Sequence, residues 1–140
     1  AAKGMELFLL RNQSRGKGIG FFEAGNFYPD FILWILHGGK QYVTFIEPHG
    51  LLHGSGPADP KIQFHKKIKE IEERCQGQDP NIVLNSFVLS WTKEAELQGW
   101  GWSKDVMKEN HVYLMQDAPL GGYVGDMVEA ILEGNPNLLS

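Results

Sequence analysis

The sequence predicts an α/β domain, a mixed central β-sheet flanked by helices. Three observations predict it. Two strand-length runs, 31–36 (FILWIL) and 41–47, are separated only by His37-Gly38-Gly39-Lys40. A stretch with helical spacing of apolar residues opens at Asp59-Pro60. A further buried-strand pattern, 81–90 (NIVLNSFVLS), follows that helix. Strands interleaved with helices make a sheet covered by helices.

In chain order, residues 6–10 form a short strand. Residues 12–20 are polar and Gly-rich, carry Arg15 and Lys17, and predict a loop closing a hairpin onto 19–23. Residues 24–29 connect to 31–36, a run apolar on both faces, as a central strand requires. The turn at 37–40 is too short for a crossover, so 41–47 must lie antiparallel to it. Strand side chains alternate, so Val43, Phe45, Glu47 and His49 point to one side. After a Gly-rich loop at 51–58, Asp59 is placed as N-cap and Pro60 at the first helical position. Ile62, His65, Ile68, Ile71 and Cys75 form the inward stripe, Lys66, Lys67, Lys69, Glu70 and Glu73 the outward face, and Gly77 the stop. Residues 91–102 are irregular or helical. Ser103 caps a short helix through Lys108, 111–115 form a strand, and 121–133 form a closing helix with Val124, Met127, Val128, Ile131 and Leu132 on one face.

The chain has 140 residues, enough for one core and too few for two ordinary domains, and a single domain over 5–134 is expected. Its apolar share of 42% and charged share of 21% are those of a globular protein. No apolar run reaches the ~20 residues that span a bilayer. No secretory leader is visible, and Cys75 is the only cysteine, so the expected location is the cytoplasm and no internal disulfide can form. The net charge of −4 disfavours a domain that grips nucleic acid unaided. Residues 16–20 (GKGIG) lack the spacing of a phosphate-binding P-loop, so no nucleotide hydrolysis is assigned to this chain. One cysteine and no second histidine pair beside His49 and His53 leave structural zinc without ligands.

Asp30 opens one strand and Glu47 ends its antiparallel neighbour, so the two carboxylates meet at one end of the sheet. Two carboxylates, a backbone carbonyl and waters suit a hard cation such as Mg²⁺ or Mn²⁺. His49 shares the face of Glu47, with a side chain able to orient water or act as a base near neutrality. Spacing alone leaves a plainer reading open: a turn aspartate, a solvated glutamate and a turn histidine.

The strings Asn26-Phe-Tyr-Pro-Asp-Phe-Ile-Leu-Trp34 and Tyr42-Val-Thr-Phe-Ile-Glu-Pro-His-Gly50 resemble the signature of the PD-(D/E)XK, or restriction-endonuclease-like, nuclease superfamily. More narrowly they are similar to the C-terminal nuclease-like domain of type III restriction (Res) subunits and related DEAD/DEAH-type helicases. The resemblance implies a restriction-endonuclease-like fold, metal ligation by Asp30, Glu47 and the carbonyl of Pro48, and hydrolysis of DNA by a domain of a larger protein bearing a helicase or ATPase domain. Two departures stand out. His49 replaces the family's Lys, and no leading helix precedes Glu6. Lys61 and Lys66 on the next helix are candidates for a migrated Lys, with a solvated helix face as the plainer reading of each. Arg15, Lys17 and Lys66 are the candidate DNA contacts, beside Arg11. Trp91, Trp100 and Trp102 offer stacking surfaces or ordinary packing. The alternative expectation is a catalytically degenerate nuclease fold that positions DNA or binds a partner.

Overall fold

A computed structural model of the chain describes residues 4–13, 20, 27–51, 56–115 and 122–132. Five strands form one sheet in the order β1-β2-β3-β4-β5. They are β1 (Glu6–Arg11), β2 (Phe31–His37), β3 (Lys40–Pro48), β4 (Ile82–Ser90) and β5 (Val112–Leu114). The helices are α1 (Pro60–Gln76), α2 (Lys104–Glu109) and α3 (Gly122–Leu132), with 3-10 turns at Gly56–Ala58 and Glu94–Trp100. β1, β2 and β3 run antiparallel, whereas β3, β4 and β5 run parallel. The sheet is therefore mixed, as the order of patterns predicts.

The β2–β3 turn needs its glycines. Gly38 and Gly39 have φ of 60° and 79°, the pair of positive angles that a two-residue hairpin turn demands. That turn fixes the register, pairing Phe31 with Ile46. Alternation then divides the sheet. Ile32, Val43, Phe45 and Leu84 face α1, where Phe64 and Ile68 complete the core. Leu33, Ile35, Tyr42, Ile46, Phe87 and Leu89 face α3, meeting Met127, Ile131 and Leu132.

α1 begins as its sequence dictates. Asp59 accepts from the Lys61 N–H at 2.9 Å, and Pro60 follows where no donor is needed. Ile62, Phe64 and Ile68 are its buried residues. Phe64 adds to the predicted stripe, because burial between α1 and the three strands β2, β3 and β4 is wider than a single seam. It meets Phe27 edge-on with ring centres 5.7 Å apart. Gly77 ends α1 in a right-handed conformation (φ −62°), so the stop does not use the left-handed freedom of glycine.

The two sheet edges differ. β5 pairs with β4 only from Val88 onward, which bares the start of β4. Side chains fill that gap. Gln76 donates to the Ile82 carbonyl, Lys69 donates to the Leu84 carbonyl, and Glu72 accepts from the Leu84 N–H. His111 contacts the Ser86 carbonyl at 2.9 Å through Nδ1. This ladder blocks edge-to-edge pairing. β1, by contrast, is exposed along its length, with Leu9 64% exposed. Its described partner is β2; the strand expected at 19–23 falls almost wholly outside the described residues. On α3, Val124 is 43% exposed, so the expected apolar face is narrower than its sequence pattern.

Phe64→Ala should lower unfolding free energy by about 3–5 kcal/mol, the usual cost of a buried Phe cavity, read as a shift in urea midpoint at constant m-value. A loss below about 1 kcal/mol would show that α1 does not dock on this face.

Candidate metal centre at the β2–β3 end of the sheet

The register places Asp30 and Glu47 side by side. Asp30 immediately precedes β2, and its backbone N–H donates to Glu47 Oε1 at 3.1 Å. Asn12, just past β1, holds the same segment from the other side. Its N–H donates to the Asp30 carbonyl at 2.8 Å, and its Nδ2 donates to the Pro29 carbonyl at 2.9 Å. Asp30 is thus fixed through its backbone while the residue stays exposed. Glu47 is the buried member of the pair, 7% exposed.

The sequence-predicted Pro48 carbonyl also has a direction. The His49 N–H donates to the Leu89 carbonyl on β4 at 2.9 Å. Across a trans peptide the preceding C=O points the opposite way. The Pro48 carbonyl therefore points away from β4, toward the β2 side where Asp30 lies.

α1 supplies the rest of the site. Its N-terminus starts beyond the end of β3, over the face that carries Glu47 and His49. Lys61 Nζ lies 2.8 Å from Glu47 Oε2. The same ammonium stands 5.5 Å from the centre of the Phe27 ring, within cation–π range. His49 does not take the ammonium's place on Glu47. Its Nε2 lies 3.2 Å from Asp59 Oδ2, while Asp59 Oδ1 caps α1 at Lys61. A chain of contacts thus runs Asp30–Glu47–Lys61–Asp59–His49 and joins three elements.

Among the described residues, no group of three or more His, Cys, Asp and Glu side chains is gathered closely enough to hold a metal ion. That excludes a side-chain-only cage there. It leaves the smaller donor set of two carboxylates and a carbonyl, and hard cations such as Mg²⁺ commonly use one or two carboxylates with water and substrate oxygens. Of the two acids, Asp30 is exposed and Glu47 buried, and they are joined through the Asp30 N–H, with both Glu47 oxygens accepting hydrogen bonds.

The other candidates scatter. Lys66 is exposed on α1, and no described contact ties it to the carboxylates. Arg15, Lys17 and His53 lie outside the described residues. Trp100 and Trp102 pack edge-on, 5.7 Å apart, against the cluster around Ile62 and Leu97, which is the packing role; Trp91 is 64% exposed. His65 stacks on His111 with centres 4.8 Å apart, and His111 stacks on Phe87 at 4.3 Å. These three rings close the β4 edge. Burial pushes the His65 pKa down to about 4, helped by the neighbouring His111 and opposed by a hydrogen bond with Asn110. Burial likewise lowers the His111 pKa, against the Ser86 carbonyl.

Sequence reasoning missed Asn12 as a clamp on Asp30 and Asp59 as the partner of His49. An Asn at a strand end and a helix cap carry no signal of a distant partner. No known protein family, curated protein or solved structure matches the chain.

Because the folded His65 pKa is depressed below 6.5, its neutral form stabilises the fold fully above pH 6.5, and this contribution is lost as pH falls toward about 4. Denaturation curves across that window should show stability falling with pH, and falling less steeply in His65→Gln. An unchanged slope in the variant would remove His65 from the acid response.

Proposed function

We propose that this domain hydrolyses DNA phosphodiester bonds with the help of Mg²⁺ or Mn²⁺, as the restriction-endonuclease-like part of a protein that also has a helicase or ATPase domain. The observation that carries the reading is the contact of the Asp30 backbone with Glu47, with Lys61 on the second oxygen of Glu47. The contact brings the backbone of Asp30 to Glu47, and in this reading the Asp30 and Glu47 carboxylates and the Lys61 ammonium take the parts that the nuclease signature calls for, with the lysine borne by a helix instead of the strand.

In this reading Asp30, Glu47 and the Pro48 carbonyl hold the cation. When bound, the cation polarises a phosphate oxygen and lowers the pKa of the attacking water. Lys61 supplies a fixed positive charge in place of the family's strand lysine, and steadies the phosphate as negative charge builds on it. Asp59 accepts the Nε2 proton of His49 and so selects the tautomer whose Nδ1 carries the lone pair. His49 then takes the proton of the attacking water at Nδ1 as the water oxygen bonds to phosphorus; the P–O bond to the leaving strand breaks, and its oxygen takes a proton from solvent water. Asn12 acts one step back, by keeping the Asp30 backbone in place.

The degenerate alternative keeps two supporting observations: His49 stands where the family has Lys, and the net charge of −4 favours a domain that relies on partners for its grip on DNA.

Cleavage of duplex DNA with Mg²⁺ or Mn²⁺ tests the proposal. Glu47→Gln and Asp30→Asn should each reduce the rate by roughly 1000-fold, because metal assistance is worth several kcal/mol and each ~1.4 kcal/mol is tenfold. Wild-type protein that binds DNA yet never cleaves it, together with His49→Lys that does, would establish the degenerate reading.

A further inference from the structure

We propose that Lys61 is an exchangeable cation: it neutralises Glu47 while the metal is away, and substrate phosphate draws it off so that a divalent cation takes its place. The inference rests on the nuclease reading of the site and adds to it an order of binding.

Both oxygens of Glu47 are engaged. Oε1 accepts from the Asp30 N–H, and Oε2 accepts from Lys61 Nζ at 2.8 Å. The Glu47 side chain is only 9% exposed, so a bare carboxylate there would be poorly solvated. Lys61 relieves that cost. A hard cation bound to Glu47 would sit at ~2.0–2.6 Å from its oxygen. An ammonium kept on the same carboxylate would then face a second positive charge at close range. The two cations therefore compete for Glu47.

Lys61 is built to let go. Its ammonium sits at the end of a flexible stem. Among the described residues, Glu47 is the one hydrogen-bond acceptor of its ammonium. The Phe27 ring, 5.5 Å from the ammonium, is a second and weaker contact of the resting position, which a phosphate must also replace. Lys69, further along α1, shows the contrast. It pairs with Glu72 at 3.0 Å and also donates to the Leu84 carbonyl at 2.7 Å, while Glu72 accepts from the Leu84 N–H. That pair is locked to the sheet, and the Lys61 pair is not.

A phosphodiester arriving at the mouth of the site offers Lys61 an anion to replace Glu47. Phosphate and metal should therefore assist each other, and by linkage the assistance must be equal in both directions. A metal-free, DNA-free domain rests with its own lysine in the site.

Calorimetric Mn²⁺ titrations test this on wild type and Lys61→Met, each with and without a short DNA duplex. Glu47→Gln reports the Mn²⁺ taken up by the DNA itself. Wild type should bind Mn²⁺ on the order of tenfold more tightly with DNA present, a typical coupling. Without DNA, Lys61→Met should bind Mn²⁺ about tenfold more tightly than wild type, and should gain little from DNA. Glu47-dependent Mn²⁺ binding that Lys61→Met leaves equal or weaker would overturn the exchange while leaving the nuclease reading intact. No Glu47-dependent Mn²⁺ binding in any condition would overturn both. If Lys61→Met fails to fold, the wild-type titrations decide alone: an affinity unchanged by DNA overturns the exchange.

Discussion

A parallel pair of neighbouring strands cannot be joined by a tight turn, and this constraint builds the candidate centre. The chain leaves β3 at Pro48, must return to the start of β4 at Ile82, and does so through α1. α1 therefore starts near the end of β3 and runs back across the sheet. Its first turn, with Asp59 and Lys61, is brought over Glu47 near the end of β3 and His49 just past it. The antiparallel turn at Gly38-Gly39 independently brings Asp30 to the same end. Two connections of different kinds thus converge on one carboxylate. Glu47 binds both, through the Asp30 N–H and the Lys61 ammonium.

That convergence is backed by rigid parts. α1 is held on one face by the core around Phe64 and Ile68, and along the β4 edge by Gln76, Lys69 and Glu72. A helix clamped at both places cannot rotate Lys61 away without loss of packing. Movement is left to the lysine side chain alone. This division suits the proposed exchange, in which Glu47 stays fixed while one cation gives way to another. β1 lies at the other edge of the sheet and reaches the site only through Asn12, just past its end.

Much of this was legible in the chain. Asp30, Glu47 and His49 could be placed at one end of the sheet because the strand period is two and the short turn leaves Phe31 opposite Ile46 or Glu47, of which the structure takes Ile46. Asp59 and Pro60 announce the start of α1 through chemistry local to the helix end. The closing of Lys61 on Glu47 was not fixed in the same way. It depends on how α1 is rotated about its axis, which the packing of Ile62, Phe64 and Ile68 decides. A stripe that omitted Phe64 leaves that rotation open, so Lys61 stood no higher than Lys66. The Asp59–His49 contact and the Asn12 clamp join residues whose nearness comes only from tertiary structure. Val124 shows the opposite error, a helical period that overstates burial at the first turn of α3.

The central claim is that Asp30 and Glu47 share a divalent cation. Anomalous diffraction from crystals of the wild-type chain grown with Mn²⁺ and a short DNA duplex tests it most directly. The account predicts an anomalous peak within ~2.0–2.4 Å of oxygens of both residues, with the Lys61 ammonium moved from Glu47 onto a phosphate. Ordered DNA at this end of the sheet with no such peak, and with Lys61 still on Glu47, would contradict it.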